Sequence, residues 1–234
     1  MKDSERNEEV RETQRMWDEK IKAAIFDADG TLLDSMPVWN NIGELYLKSI
    51  GLTAREGLGE TLHTMSLEQG AAYLKETYDL KQTIPEIIKD VLKIVANFYK
   101  YEAVLKPGVK ETLEWLEEQG IKMAVATSGN KALTEAALER NGVADYFGKI
   151  FTCTEIGSGK DEPNIYLAAA EFLGSKPEET IIWEDALHAA QTAKTAGFVV
   201  LGVYDESGKD AVPEMKEICE EYFDRMDAWL AGHK

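Results

Sequence analysis

The chain has 234 residues with 43 acidic against 26 basic side chains, and the net charge of −17 disfavours nucleic acid and anionic membrane surfaces as partners. Its 44% hydrophobic content suits one large folded core or a core with an insertion, and no segment approaches the roughly eighteen apolar residues of a membrane span. Cys153 and Cys219 are the only cysteines, and with no apolar signal segment near the start they read as reduced thiols of a cytoplasmic protein.

Residues 1–20 are charged, with Val10 and Met16-Trp17 as sparse apolar positions, and read as a solvated leader helix. "KAAIF" then reads as a strand, and further short apolar runs follow at "IKMAVAT", "KIFTC", "TIIW" and "FVVLGVY". Short apolar runs bounded by turn residues are the pattern of strands buried on both faces of a parallel sheet. Helical spacings lie between them at Val109 to Gln119, Lys131 to Asn141, Pro163 to Leu173 and Ala186 to Ala196, the last three each followed by glycine. The acidic run "EMKEICEEYFDRMDAW" reads as one final amphipathic helix. Alternating strands and helices predict an α/β fold with a doubly wound parallel sheet.

One long interruption breaks the alternation. From Met36 to Val104 there is no strand pattern, only helical spacings near Val38 to Ile50, Leu67 to Tyr78 and Pro85 to Tyr101. The expected organisation is a core of residues 21–35 and 105–234, with residues 36–104 inserted as an α-helical cap. Its hinges would be Asp34 to Pro37 and Lys106 to Gly108.

Four stretches carry chemistry. In "AIFDADGTLLDS", Asp27 closes a strand and Asp29 follows two positions later, a like-charged pair that needs a compensating cation. A carboxylate at that sheet edge can attack phosphorus, and its neighbour can protonate a leaving oxygen. In "AVATSGN", Thr127, Ser128 and Gly129 offer a hydroxyl and backbone N–H groups at a helix start, an anion site or merely an ordinary cap. Lys160 lies between a strand and a helix, where its ammonium can reach the same edge. Glu184 and Asp185 close another strand, suited either to a hard cation or to capping the next helix.

This ordered set, Asp27-x-Asp29-Gly-Thr, Thr127, Lys160-x-x-Pro163 and Glu184-Asp185, resembles the haloacid dehalogenase superfamily. More narrowly it resembles the β-phosphoglucomutase-like phosphatases, which carry a helical cap after the first motif. The resemblance spans about Lys22 to the C-terminus. It implies Asp27 as nucleophile, Asp29 as general acid and base, and Thr127 and Lys160 on the phosphoryl group. It further implies Mg²⁺ held by Asp27, the Asp29 carbonyl, Asp185 and Glu184. Four positions depart from the family pattern: Asp161, Asn164, Ala186 and Ala189.

The expected activity is a Mg²⁺-dependent phosphatase of a small phosphorylated metabolite, acting as a monomer through an aspartyl-phosphate. The alternative is a sugar-phosphate mutase using the same intermediate. In the mutases the resemblance points to, a histidine, a lysine and an arginine grip the second phosphate. Their positions fall here on Trp39, His63 and Leu67. Trp39 and His63 are the expected cap contacts to substrate, and the absence of arginine between Arg55 and Arg140 favours the phosphatase.

Overall fold

A computed structural model describes residues 20–62 and 65–233, so residues 1–19 of the leader segment and His63 lie outside the described residues. The chain forms two compact units, one ending at Asp34 and resuming at Leu105, the other running Ser35–Val104.

The first unit is built on six strands: β1 (Ala23–Phe26), β2 (Lys122–Thr127), β3 (Phe147–Thr152), β4 (Thr180–Glu184), β5 (Val199–Val203) and β6 (Glu221–Phe223). They pair in the order β3-β2-β1-β4-β5-β6, all parallel. The chain moves outward from β1 through β2 to β3, then crosses to the other side of β1 for β4 to β6. The strand order therefore reverses between β1 and β4, and open α/β sheets bind ligands at the carboxyl ends beside such a reversal. Phe26 sits in register with Trp183, so those two strands end together.

Every residue of β1 and β4 is buried, which explains their unbroken apolar runs. Alternate residues serve opposite faces. Ala23, Ile25, Ala126 and Ile182 pack with Ile165, Tyr166 and Ala169 of a helix spanning Asn164–Leu173 and with Ala190 of one spanning Leu187–Thr195. On the other face, Phe26 stacks on Trp183, and Trp229 meets the edges of both Trp183 and Trp115. Burying a side chain such as Phe26 contributes about 1.5–3 kcal/mol.

The second unit is helical, and no strand occurs among its described residues: α1 (Met36–Asn40), α2 (Ile42–Ser49), α3 (Leu58–Leu62), α4 (Leu67–Thr77) and α5 (Ile84–Tyr101). A reciprocal capping box starts α4, with Gln69 N–H donating to Ser66 Oγ and Ser66 N–H to Gln69 Oε1. Tyr46, Leu47, Leu58, Ala71, Leu74, Ile87 and Val91 form this unit's own core.

Two sequence-based expectations are corrected. The single helix expected over Val38 to Ile50 is two, parted at Asn41, whose side-chain amide donates to the Pro37 carbonyl. A side-chain bond of that kind competes with helix continuation. The final acidic run is not one helix: Val212–Ile218 is helical, β6 follows, and helix Met226–His233 closes the chain. β6 has only three residues and its half-buried pattern carries no alternation, so the helical spacing around it dominates the local signal.

Candidate active site

The carboxyl ends of β1, β2 and β4 bring together residues far apart in the chain. Asp27 follows β1 directly, its N–H donating to the Trp183 carbonyl of the neighbouring strand at 2.9 Å. Lys160, in the loop before helix Asn164–Leu173, donates to Asp27 Oδ1 and to Glu184 Oε2 at 2.7 Å. Lys160 is only 5% exposed, a burial that lysine tolerates when paired. Burial works to lower the Lys160 pKa, but Asp27 and Glu184 outweigh it and hold the group well above its ordinary value. It remains a cation.

Glu184 is fixed from several sides. Its Oε2 also accepts from the Tyr166 hydroxyl at 3.0 Å, and its Oε1 accepts from the Ala186 N–H at 3.3 Å. Burial drives the Tyr166 pKa far upward, with Glu184 adding to the shift, so the hydroxyl stays a donor. Tyr166 was not singled out in the sequence, where it reads as one more apolar-face residue of a helix. The signal that identifies it is three-dimensional: the contact of its hydroxyl with a buried carboxylate.

Around Asp185 the backbone approaches closely. Thr31 Oγ1 donates to Asp185 Oδ1 at 2.9 Å. Gly30 has φ +89°, and a Cβ there would come within 2.3 Å of Asp185 Oδ2, so the turn after Asp29 requires glycine twice over. A Cβ on Gly129 would stand 3.0 Å from Asp29 Oδ2 and 3.1 Å from Thr127 Oγ1, which gathers Asp29, Thr127 and Gly129 in one place. Gly129 N–H donates to Thr127 Oγ1 at 2.9 Å. Ser128 is exposed, its Oγ 3.4 Å from Cys153 Sγ.

Lys106, read from the sequence only as part of a hinge, has a second role. Its ammonium donates to the carbonyls of Gly30 and Tyr204, each at 2.6 Å, and to Asp205 Oδ2 at 2.9 Å. It thereby pins the Gly30 turn to the end of β5. Burial pushes the Asp205 carboxyl up, but hydrogen bonds from Ser207 and Lys106 outweigh it and hold the group below its ordinary value.

Asp27, Glu184 and Asp185 each bring an oxygen within 4.8 Å of the others. Lys160 is the ammonium that bonds to this cluster. Burial, then Glu184, pushes the Asp185 carboxyl up to about 7. Burial likewise pushes Asp27 upward, against Lys160 and helped by Glu184, Asp185 and Asp29. The electrostatics are those of a site short of positive charge, and an all-oxygen donor set suits a hard divalent cation.

Trp39 belongs to the helical unit, where its indole N–H donates to the Tyr99 hydroxyl at 3.0 Å and its ring lines an apolar cavity. Leu67 lines the same cavity. No described helix is long and apolar enough to cross a membrane.

Comparison with known proteins agrees with this geometry. The haloacid dehalogenase-like hydrolase family matches residues 24–203. A phosphorylated carbohydrates phosphatase of Thermotoga maritima is 29% identical over 177 residues, covering 76% of this chain and 82% of that protein. The β-phosphoglucomutase of Bacillus subtilis is 29% identical over 195 residues, covering 78% and 83%. Among solved structures, a Thermotoga maritima protein assigned as a β-phosphoglucomutase superposes with a TM-score of 0.79 at 25% identity, covering 90% of this chain and 98% of that one. With the match running from within β1 to the end of β5 and covering every strand between them, the chain belongs to the haloacid dehalogenase-like hydrolase family.

Proposed function

We propose that the protein is a Mg²⁺-dependent phosphatase of small phosphorylated metabolites, of the phosphorylated-carbohydrate class named for its relatives, working through a phosphorylated Asp27. The observation that carries this reading is the buried Asp27–Lys160–Glu184 set beside Asp185. Lys160 grips Asp27 Oδ1, so attack on phosphorus falls to Oδ2, and the P–O bond to the leaving alcohol breaks as the new P–O bond forms. Asp29 protonates the departing oxygen. It then takes a proton from water, which attacks the phospho-Asp27, breaks the acyl-phosphate bond and releases inorganic phosphate with Asp27 restored.

Thr127 and Lys160 serve the phosphoryl oxygens. Thr127 Oγ1 accepts from Gly129 N–H, which leaves its own proton to be donated. Asp27, the Asp29 carbonyl, Asp185 and Glu184 would hold Mg²⁺, with Glu184 also fixing Lys160. The ion supplies positive charge that the cluster lacks.

A mutase reading draws on the β-phosphoglucomutase relatives. It calls for cations that hold a second phosphate. Trp39 and Leu67 stand at two of the positions concerned and present apolar surface, which favours hydrolysis. The test is a phosphate-release screen over phosphorylated metabolites with and without Mg²⁺. Release from none of them would sink the phosphatase. In β-glucose 1-phosphate with a bisphosphate primer, glucose 6-phosphate forming faster than free phosphate would make the mutase the better reading.

A further inference from the structure

The helical unit holds a partly open cavity of about 230 Å³. Met36, Trp39, Leu62, Met65, Leu67 and Val91 give its wall an apolar character, and none of the described residues lining it is charged. Two of its polar groups are already engaged: the Trp39 N–H with Tyr99, and the Ser66 hydroxyl with Gln69 N–H and Glu68. An anion placed here would lose its hydration without gaining a cation, a strongly unfavourable exchange.

Three helical glycines also line the cavity, and they differ in what they do. A Cβ on Gly43 would stand 2.4 Å from Leu62 Cδ1, and one on Gly59 would stand 2.7 Å from the Asn40 carbonyl oxygen. Close packing accounts for both. Gly70, inside α4, has among the described residues only Leu62 Cδ2 near its missing Cβ, at an ordinary 3.6 Å. A glycine inside a helix weakens it, and unfilled apolar volume weakens a core. Gly70 carries both costs with no packing constraint that demands them, so its effect is to keep the cavity open.

We propose that this cavity is a binding site for an uncharged, apolar organic group. An apolar cavity of about 150 Å³ accepts benzene, so this one suits a group of about six to ten carbon atoms. That group arrives either as the organic part of the phosphorylated substrate, a source that rests on the phosphatase reading, or as a free apolar molecule.

Calorimetric titration of the intact protein with 1-naphthol tests the site directly. Saturable binding is expected, weakened at least tenfold in Gly70→Leu. Gly70→Ala, whose methyl group fits at ordinary contact distance, should remain folded and bind more weakly than the unaltered protein. The source is read from the ratio of kcat/KM for 1-naphthyl phosphate to that for acetyl phosphate. A ratio at least tenfold lower in Gly70→Leu assigns the group to the substrate, and a constant ratio with weakened 1-naphthol binding assigns it to a free molecule. Failure to hydrolyse acetyl phosphate would strike at the phosphatase alone, because the titration needs no turnover. No binding of 1-naphthol, or equal binding in the folded Gly70 variants, would overturn the site.

Discussion

The two units bury opposite kinds of chemistry. At the sheet edge, Asp27 and Glu184 are buried and both bonded to the buried Lys160, with Asp185 alongside. In the helical unit the cavity wall is mostly apolar and, among the described residues, without charge. The first arrangement is costly to assemble, since each charge leaves water, and Lys160 offsets Asp27 and Glu184 while the third carboxylate, Asp185, leaves the cluster short of positive charge. The second is costly in a different way, through unfilled volume. On the proposed function, the charged site acts on the phosphate that all phosphate esters share, whereas the cavity of the helical unit suits an uncharged group.

Substitutions can break or sharpen that contrast. The largest effect is expected for Asp27→Asn, which removes the nucleophile at nearly constant shape: turnover should fall by roughly 10⁴-fold or more with the circular dichroism spectrum retained. Turnover within tenfold of the unaltered protein would remove phospho-Asp27 from the mechanism. Asp29→Asn should cost about 10²–10⁴-fold, the usual range of general acid–base help. Steady-state phosphate release measures it, and a loss of less than threefold would leave Asp29 without that role.

Metal addition probes the charge shortage without relying on turnover. Mg²⁺ at a hundred times its Kd should stabilise the folded protein by about 2.7 kcal/mol, seen in chemical denaturation, and a chelator should reverse the gain. Asp185→Asn should shrink that response. An undiminished response would place the ion elsewhere. Tyr166→Phe deletes a hydrogen bond to the buried Glu184 carboxylate and should cost about 1–3 kcal/mol in the same assay. A neutral result would mean that Lys160 and the Ala186 N–H hold Glu184 without it.

The smallest effects separate two glycines of the helical unit. Gly70→Ala should raise stability by about 0.5–1 kcal/mol, because the helix gains a better former and the methyl group meets Leu62 at an ordinary contact distance. Gly59→Ala should lower it, because its Cβ would press on the Asn40 carbonyl oxygen. Equal shifts in the two denaturation midpoints would contradict the packing distinction on which the cavity argument rests.

Local sequence carried much of the architecture. β1, β2 and β5 fall within the predicted apolar runs and β4 outruns its own by one residue, because strands buried in the middle of a parallel sheet cannot hide their composition, whereas the more exposed edge strand β3 starts two residues before its run. β6 escaped notice because a three-residue edge strand has too little pattern to outweigh the helical spacing around it. Asp27, Asp29, Thr127, Lys160, Glu184 and Asp185 stood out because an acid or a hydroxyl directly after a buried strand, or a lysine between strand and helix, is chemically conspicuous.

Tyr166 and Lys106 did not stand out. One sits on a helix face otherwise suited to the core, and the other sits in a hinge segment. Only the fold shows that the Tyr166 hydroxyl meets Glu184 and that the Lys106 ammonium reaches Gly30, Tyr204 and Asp205. The cavity belongs to the same class, because Gly70 looks like any helix-weakening glycine until the space beside it is seen. Composition and periodicity by themselves determined the alternating α/β core, the helical insertion and the acids at the strand ends, since burial and charge are written residue by residue. Tertiary structure alone decided which groups bond to those acids and where volume stays open, since hydrogen bonds and voids depend on distances between segments that no local pattern encodes.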